Sequence, residues 1–455
     1  MNTEIVRTAP HVTLRSGGAR EVLLLAYPIV LTQLSQTLMF AVDAAMVGRL
    51  GATELAAVGF GGIWIWTTIC CFMGAVSGVQ TFVSQEHGAQ RADAAGRWVW
   101  QAIAGVLPMQ LAAVAIFVWA LPMWLAWLGP SEALQKHCID YVHGRAFGMP
   151  ALLGCMTLAA FFRGIGDTKT PLYVTLADNV VNAVLAYGLI FGRLGLPQWG
   201  PFGAGVATSV ADWVYLVTIA GFFLRPALAK RFATRELRIE WAMVRRYLRT
   251  SLPIGGQWVL DMSAFALFAT LVARMGDVPM AANQALLNLL SFTFMVAYGI
   301  SISCSTLVGR YVGAGDLPAA ERSYHTSLGL GLALAGVVAL AFVTIPGPLF
   351  RIFTDDPGVL ALGGPLLLLA AAFQLLDALG IVAGGALRGA GDTRWPFLVQ
   401  TGLAWGLRVP LVYLFGIVLA KGVVGAWLAE LVYIWVLGGA FALRLRGEAW
   451  KRAKI

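Results

Sequence analysis

Apolar runs of about twenty residues, separated by short polar breaks, follow one another along nearly the whole chain. A helix of about 20 apolar residues is long enough to cross the roughly 30 Å of hydrocarbon in a bilayer. The runs are too long and too continuously apolar for a transmembrane β-barrel, whose strands alternate in polarity over about ten residues. Because lipid offers no partner to bare backbone groups, the pattern predicts an all-α polytopic membrane protein.

The polar breaks divide the chain into about twelve predicted transmembrane helices. Their approximate limits are 22–47, 55–83, 97–121, 137–161, 170–192, 202–224, 247–274, 280–307, 323–345, 358–386, 396–419 and 423–443. Closely spaced helices, such as the third and fourth, have the least well defined edges.

Two distant polar turns carry the same motif, as RGIGDTKTP at 163–171 and RGAGDTRWP at 388–396. We call the shift in numbering that takes 163 to 388 the repeat offset. The same offset relates further landmarks, among them Pro28 and Pro253, and Gly88 and Gly313. A constant offset of this kind indicates an internal repeat, here two copies of a six-helix unit. Because six is even, both copies enter the membrane from the same side, and a pseudo-two-fold axis along the membrane normal should relate them.

The repeat predicts two lobes joined by a basic segment. The expected units are a cytoplasmic tail at 1–21, an N-lobe at 22–226, a basic cytoplasmic linker at 227–246, a C-lobe at 247–445 and a cytoplasmic tail at 446–455. The repeated motif then forms the turn between the fourth and fifth helix of each lobe. Its glycines allow a tight reversal, its Asp can cap the next helix, and its Pro suits the first turn of that helix. We interpret it as a structural turn, with a direct part in gating as the second interpretation; its residues are Gly164, Gly166, Asp167, Pro171, Gly389, Gly391, Asp392 and Pro396.

The net charge of +9 raises the question of a nucleic-acid partner, so the placement of the basic residues matters. With the N-terminus taken as cytoplasmic, 24 of the 32 Lys and Arg residues fall in the cytoplasmic tails and loops, and six fall in the opposite loops. This distribution follows the positive-inside rule and predicts that both termini are cytoplasmic. The basic excess is therefore explained by topology and by contact with anionic lipid, and we expect no nucleic-acid partner. The polar N-terminus does not resemble a cleavable signal peptide.

Several segments resemble the multidrug and toxic compound extrusion (MATE) family, and its NorM-like branch in particular. They are PIVLTQLSQ, VDAAMVGRLG, QLLDALGIVAGGALRGAGDT and the paired RG-x-GDT turns, in the same order over about residues 20–445. The resemblance implies two six-helix lobes in a V that opens alternately to either side of the membrane. It also implies a secondary active multidrug efflux transporter that exports cationic or amphipathic compounds by antiport with H⁺ or Na⁺.

Ionisable residues within membrane helices normally face a cavity or a partner, because each costs roughly 2.5–3.5 kcal/mol to insert. In the N-lobe, Asp43 matches the acidic residue to which the resemblance assigns ion or drug coupling. Asp178 and Asn182 are one helical turn apart and share one helix face, so they can line a cavity with Asp43. Asn179 and Gln36 are placed in the same cavity set. Asp178 stands where the family pattern has Gly, and a simple interhelical hydrogen bond is the alternative for it.

In the C-lobe, Asp261 and Asp377 match two carboxylates of the NorM-like branch, with Asp261 replacing a Glu. The resemblance implies that they couple ion flow to export, by holding a Na⁺ between them or by sharing a proton. Phe373 stands where that branch has a Tyr ligand, and this departure weakens a strict Na⁺ site. Arg408 is expected near the cavity, and its pairing with either carboxylate is the structural alternative.

The predicted mechanism is alternating access, in which uptake of H⁺ or Na⁺ by a carboxylate favours release of a cationic drug. A lipid-linked oligosaccharide flippase of the same superfamily is the closest alternative. A membrane-embedded enzyme is remote, because no HExxH, DDxxD or ATP-binding motif occurs. We expect no cofactor besides the coupling ion, a monomer, and a multi-pass location in the bacterial inner membrane.

Overall fold

Twelve membrane-spanning helical segments make up most of the chain, which the computed structural model describes over residues 17–452. We number them α1 to α12 in chain order. They are α1 Ala19–Gly48, α2 Ala52–Gly88, α3 Ala92–Leu128, α4 Glu132–Ala146 with Met149–Ile165, α5 Lys169–Phe191, α6 Gly200–Phe223, α7 Trp241–Ala273, α8 Asp277–Ala314, α9 Leu317–Thr344, α10 Pro357–Ala390, α11 Arg394–Val418 and α12 Gly422–Arg446. Two short helices, Pro226–Phe232 and Pro346–Arg351, lie between spans.

Each segment coincides with one predicted span, so the all-α polytopic prediction is confirmed. Eleven segments are long and apolar enough to cross a membrane on their own, and α4 reaches that length only as a pair bent by 48°. The bend lies where Gly148 precedes Met149, and Pro150 occupies the first turn of the second half. Because proline has no N–H to donate, it suits the start of a new helical segment better than the interior of an old one.

Several helices were predicted to end too early. The prediction ended the fourth and tenth helices at 161 and 386, whereas α4 ends at Ile165 and α10 at Ala390. Arg163 and Arg388, which we counted with the cytoplasmic loops, therefore lie in the last turns of these helices. A charged residue ended the apolar run in the sequence without ending the helix.

The repeated turn has the geometry that its glycines and prolines predict. Gly166 and Gly391 end α4 and α10 with φ of 88° and 91°, in the left-handed region where glycine is unstrained. In the first copy Asp167 caps α5, because its carboxylate accepts hydrogen bonds from the backbone N and the Oγ1 of Thr170 at 3.0 and 2.6 Å. In the second copy the expected cap is replaced by an ion pair between Asp392 and Arg444 at 2.8 Å.

The basic segment between the lobes is bonded to the N-lobe. Trp100 and Gln101 on α3 donate side-chain hydrogen bonds to the backbone oxygens of Thr234 and Arg238, at 2.9 and 2.6 Å. The ring of Phe232 is buried in the N-lobe core. The segment is thus folded against α3 up to the residues that precede α7.

Two hydrogen bonds related by the repeat join the lobes. Thr81 Oγ1 donates to the backbone oxygen of Arg388 at 3.0 Å, and Thr306 Oγ1 donates to that of Arg163 at 3.2 Å. The repeat offset takes Thr81 to Thr306 and Arg163 to Arg388. The contact therefore obeys the pseudo-two-fold axis that the sequence repeat predicts.

Close backbone approaches follow the same symmetry. Gly88 lies so near the backbone oxygen of Arg310 that a Cβ on Gly88 would overlap it, and Gly313 stands in the same relation to Gln85. We call this contact, together with the two threonine hydrogen bonds, the seam. Every hydrogen bond between α1–α6 and α7–α12 within 17–452 lies in the helix halves nearest the termini. Hydrogen bonds thus join the lobes on the side of the termini and not on the other, and we call the space between the lobes on that other side the crevice.

We expect Gly88→Ala and Gly313→Ala each to weaken the seam, since a methyl group must displace the facing backbone. Overpacking of this kind costs about 1–3 kcal/mol, which would shift the equilibrium about tenfold towards separated lobes. Electron–electron distance measurements between spin labels at positions 91 and 314, in a variant lacking the five native cysteines, should then show a longer-distance population. Gly329→Ala and Gly336→Ala are matched controls, because open space surrounds both helical glycines. Equal distances in all four variants would contradict a steric role for the seam.

Candidate ion and substrate site

The N-lobe site is built where α1 and α5 pack together. Asn182 Nδ2 donates a hydrogen bond to Asp43 Oδ2 at 3.1 Å. The second oxygen of Asp43, Oδ1, is buried and makes no hydrogen bond within the described residues, and the same holds for Oδ1 of Asn182. The structure thus brings together two of the predicted residues and leaves one carboxylate oxygen free to accept a proton.

The neighbouring turn of α5 repeats the arrangement in part. Asn179 Nδ2 donates to the hydroxyl and the backbone oxygen of Ser35 on α1, at 2.6 and 3.1 Å. Asp178 has a buried Oδ1 with no hydrogen-bond partner among residues 17–452, which does not match the interhelical hydrogen bond considered as its alternative. Gln36 is partly buried on α1. Asn179 therefore helps to hold α1 against α5. Oδ1 of Asp178 has no hydrogen-bond partner among the described residues.

An arginine lies beside these acids. Arg145 Nη1, at the end of the first half of α4, is 2.7 Å from Asp212 Oδ2 on α6, and both side chains are largely buried. The guanidinium is also within electrostatic range of Asp43 and Asp178. The N-lobe therefore holds three carboxylates and one arginine in a single polar cluster, with an excess of two negative charges when all are ionised.

The C-lobe site centres on Arg408 of α11. Its Nε is 2.6 Å from Oε1 of Glu430 on α12, in a buried ion pair, and its Nη1 is 3.8 Å from Oδ1 of Asp261 on α7. Aromatic rings surround the guanidinium, whose carbon lies 5.2 Å from the ring centre of Tyr433 and 5.4 Å from that of Phe265. Ion pairing and cation–π attraction together hold the charge in place. Of the two pairings considered as the alternative, the structure has only the 3.8 Å contact of Arg408 with Asp261 among residues 17–452, and the nearer partner of Arg408 is Glu430.

Asp377 on α10 lies within electrostatic range of Asp261, Glu430 and Arg408. In the part of the chain that the structure describes, it forms no ion pair. This cluster also contains three carboxylates and one arginine. When all are ionised it has an excess of negative charge, which a bound proton or monovalent cation would reduce. Over residues 17–452 no group of three or more His, Cys, Asp or Glu side chains is arranged to hold a metal ion.

Phe373 lies one turn before Asp377, but its ring belongs to the aromatic core. The ring centres of Phe373 and Trp427 are 5.6 Å apart in an edge-to-face contact. The indole Nε1 of Trp427 donates to Oδ1 of Asn283 at 2.9 Å, which fixes the ring. Phe373 thus packs among α8, α10 and α12 while staying partly exposed, and its place in the cavity set remains a prediction.

Two π-helical segments interrupt α11, at Ala404–Arg408 and Tyr413–Val418. Pro410 stands between them and lacks the N–H that a regular helix would donate one turn back. Such wide turns change the direction of the side chains that follow and are frequent at functional sites. The first segment ends at Arg408, so the irregular backbone helps to aim the guanidinium at Glu430 and Asp261. The sequence signal for this feature was the proline inside an apolar run.

The two lobes share a fold but do not share their charges. By the repeat offset, Asp261 corresponds to Gln36, and Asp43 corresponds to Phe268. The arginines are not equivalent either, because Arg408 corresponds to Ala183. The repeat therefore predicts the scaffold of both sites, and the chemistry of each has to be read from its own residues.

Comparison with known proteins agrees with this architecture. The MatE family model matches residues 28–188 and 253–414, two segments whose starts are related by the repeat offset. The chain belongs to the MatE family. Its relatives include a probable multidrug resistance protein NorM of Chromobacterium violaceum, 30% identical over 441 residues and 95% of both chains. Another is the probable multidrug resistance protein NorM of Geobacillus kaustophilus, 31% identical over 442 residues and 96% of both chains.

Solved structures show the same fold. A MATE protein in the straight conformation superposes with a TM-score of 0.85 at 18% identity, covering 94% of this chain and 95% of that one. The outward-facing conformation of a multidrug resistance MATE family transporter gives a TM-score of 0.86 at 18% identity, covering 97% and 98%. The two-lobed polytopic fold and the resemblance to the NorM-like branch are thus confirmed. The roles of the individual site residues remain predictions.

We expect Glu430→Gln to destabilise the protein, because it leaves the buried Arg408 short of its nearest counter-charge. Removing one member of a buried ion pair typically costs about 3–5 kcal/mol. Thermal unfolding of the purified protein in detergent should show a clear decrease in Tm. Glu236→Gln, an exposed carboxylate paired with Arg97, is the matched control and should change stability by less than about 1 kcal/mol. Similar Tm values for the two variants would show that the Arg408 pair has no special structural weight.

Proposed function

We propose that this MatE family protein is a secondary active multidrug efflux transporter that exports cationic or amphipathic compounds in exchange for H⁺ or Na⁺. The observation that carries the proposal is the surplus of carboxylates over arginines beside a crevice that is closed at one end. The names of the relatives, which are multidrug resistance proteins, agree with it. These clusters of carboxylates and arginine suit a solute carrier, and we propose no enzymatic activity.

We further propose that the protein lies in the bacterial inner membrane as a monomer with both termini in the cytoplasm. The support is the distribution of 24 basic residues on the side of the termini and six on the other. In that orientation the seam closes the cytoplasmic side, and the crevice opens outwards. A cationic solute released from this state leaves the cell.

Exchange follows from competition for the same negative charge. When a carboxylate takes up an ion, its attraction for a cationic solute falls, and release to the outside becomes favourable. Coupling requires that ion and solute bind with different affinities in the two conformations. Asp43 is suited to this role, because Asn182 donates to one oxygen while the other has no partner within 17–452. Asp377 is suited to it in the C-lobe, since Arg408 is committed mainly to Glu430.

Asp261 has a different part in this proposal. At 3.8 Å from Arg408 Nη1 it is partly neutralised, so it sets the charge that Asp377 experiences. A proton or Na⁺ arriving at Asp377 would weaken the repulsion between the two carboxylates. We therefore treat Asp377 as the ion acceptor and Asp261 as the residue that tunes it.

We expect Asp43→Asn and Asp377→Asn to reduce ion-driven efflux of a cationic dye at least tenfold, because neither amide can exchange a charge with the solute. Everted membrane vesicles allow the measurement, with a pH gradient and a Na⁺ gradient applied separately to identify the coupling ion. Asp355→Asn, an exposed carboxylate in the loop before α10, is the matched control and should transport normally. Normal transport by both test variants would contradict the assignment of Asp43 and Asp377 as ion-coupling residues.

We also expect the purified protein to bind a cationic dye, and acid or Na⁺ to displace it, since ion and dye compete for the same carboxylates. Fluorescence polarisation against pH at constant ionic strength, repeated with Na⁺ replaced by choline, separates the two ions. A flippase for lipid-linked oligosaccharides has no reason to bind such a dye competitively. Absence of dye binding at any pH would favour that alternative.

A further inference from the structure

Two arginines at equivalent positions of the repeat lack a carboxylate partner. Arg163 lies in the last turn of α4 and Arg388 in the last turn of α10, related by the repeat offset. Neither forms an ion pair with Asp or Glu among the described residues, whereas Arg145 and Arg408 both do. Arg163 Nε is buried without a hydrogen bond within 17–452. Arg388 makes one long hydrogen bond, from Nη2 to Ser301 Oγ at 3.4 Å.

Both arginines lie at the floor of the crevice. Their backbone oxygens accept the two threonine hydrogen bonds of the seam, so their main chains stand on either side of the pseudo-two-fold axis. Side chains in a helix point back towards its N-terminus, which for α4 and α10 is away from the seam and into the crevice. Arg388 follows this rule, since its Nη1 is 3.7 Å from a Cβ placed on Gly384, one turn earlier.

A tyrosine lies near the two arginines, three residues before Ser301, the hydrogen-bond partner of Arg388. Tyr298 on α8 lies within electrostatic range of both Arg163 and Arg388. All three residues are partly buried, so each keeps a fraction of its surface exposed. A hydroxyl donor and two cations thus border the same region of the crevice floor.

A purely structural role accounts for only part of the cost of these charges. The dipole of a helix stabilises an arginine near its C-terminus to a small extent. A charge within the membrane is costly when no partner compensates it. Without a counter-charge, the balance is unfavourable for each arginine, and a bound anion would supply the missing partner.

We propose that Arg163, Arg388 and Tyr298 form a binding site for an anionic group, a carboxylate or a phosphate, of a solute in the crevice. Guanidinium groups bind such planar or tetrahedral oxyanions through paired hydrogen bonds. Together with the acidic clusters of the two lobes, this floor selects zwitterionic solutes, whose cation meets the carboxylates and whose anion meets the arginines. The inference rests on the proposed export function and adds a class of substrate to it.

The test uses two forms of one dye and the full-length protein in nanodiscs of zwitterionic lipid. A rhodamine with a free carboxylate is zwitterionic, and the ethyl ester of the same dye is cationic. Fluorescence polarisation gives the Kd of each dye for wild type, Arg163→Gln and Arg388→Gln. Arg394→Gln, an exposed arginine just beyond the second turn, is the matched control.

We expect each test variant to bind the carboxylate dye about tenfold more weakly, as for the loss of one charge-assisted hydrogen bond. The ester should change by less than about twofold, and the control should change neither. An equal loss for both dyes, or no loss for either, would show a structural role only and would overturn the proposal.

Sulfate provides a second measurement that needs no variant. At matched ionic strength in chloride, sulfate should displace the carboxylate dye from wild type and leave the ester bound. Failure of sulfate to discriminate would overturn the site even if the glutamine variants do not fold. Anionic phosphatidylglycerol in the nanodisc should compete only if lipid phosphate reaches the site, which distinguishes a lipid headgroup from a solute.

The two proposals fail in different ways. Binding of the ester but not of the carboxylate dye by wild type would end the anion site and leave cation export intact. Binding of both dyes with no ion-driven efflux of either from vesicles would end the export function and leave the anion site standing. Binding of neither dye would end both.

Discussion

A charge within a bilayer has no water to solvate it, and the internal architecture of this protein follows from that constraint. Each lobe keeps one arginine buried by pairing it with a carboxylate on its last helix, Asp212 in the N-lobe and Glu430 in the C-lobe. Such pairs hold the polar interior of a lobe together because breaking one leaves an uncompensated charge in oil. Of the other carboxylates in the two clusters, Asp261 shares Arg408 at 3.8 Å, while Asp43, Asp178 and Asp377 have no ion-pair partner among residues 17–452, so a solute can supply one. Carboxylates thus serve two purposes in this protein. Those paired with an arginine of the same lobe stabilise the fold, and those without such a partner are available to an ion or a solute.

The seam joins the two lobes through contacts that the internal repeat makes symmetric. The internal repeat places related surfaces on the two lobes, and the pseudo-two-fold axis brings matching patches of the lobes together. Here the matching patches consist of glycines against backbone and of threonines against carbonyl oxygens, contacts that involve no charge and little side-chain rearrangement. An interface of this type can close firmly and still separate at small cost, which suits a transporter that must alternate between two states.

Much of the fold follows from hydrophobic runs and the repeat offset, since both report directly on helix length and lobe symmetry. Helix ends were harder, because Arg163 and Arg388 end the apolar pattern while the backbone hydrogen bonds continue to Ile165 and Ala390. The candidate site was predicted as a set of residues but not as a set of pairs. Helix periodicity places Asn182 on the same face as Asp178. The hydrogen bond of Asn182 to Asp43 and the pairing of Arg408 with Glu430 each join two helices, and no period predicts them. Phe373 illustrates the remaining ambiguity, since one turn separates a cavity position from a core position.

The connection between the lobes has a mechanical consequence. Hydrogen bonds fix the connecting segment to α3 at Thr234 and Arg238, and Glu240 N donates to Gln101 at 3.0 Å, immediately before α7 begins at Trp241. Almost no slack is left in the covalent path from one lobe to the other. The connecting segment therefore keeps the N-terminal end of α7 next to α3. The two lobes are expected to rotate about this point rather than to separate there. Lengthening the connecting segment would make the relative motion of the lobes less constrained, and it would change no residue that binds the ion or the solute.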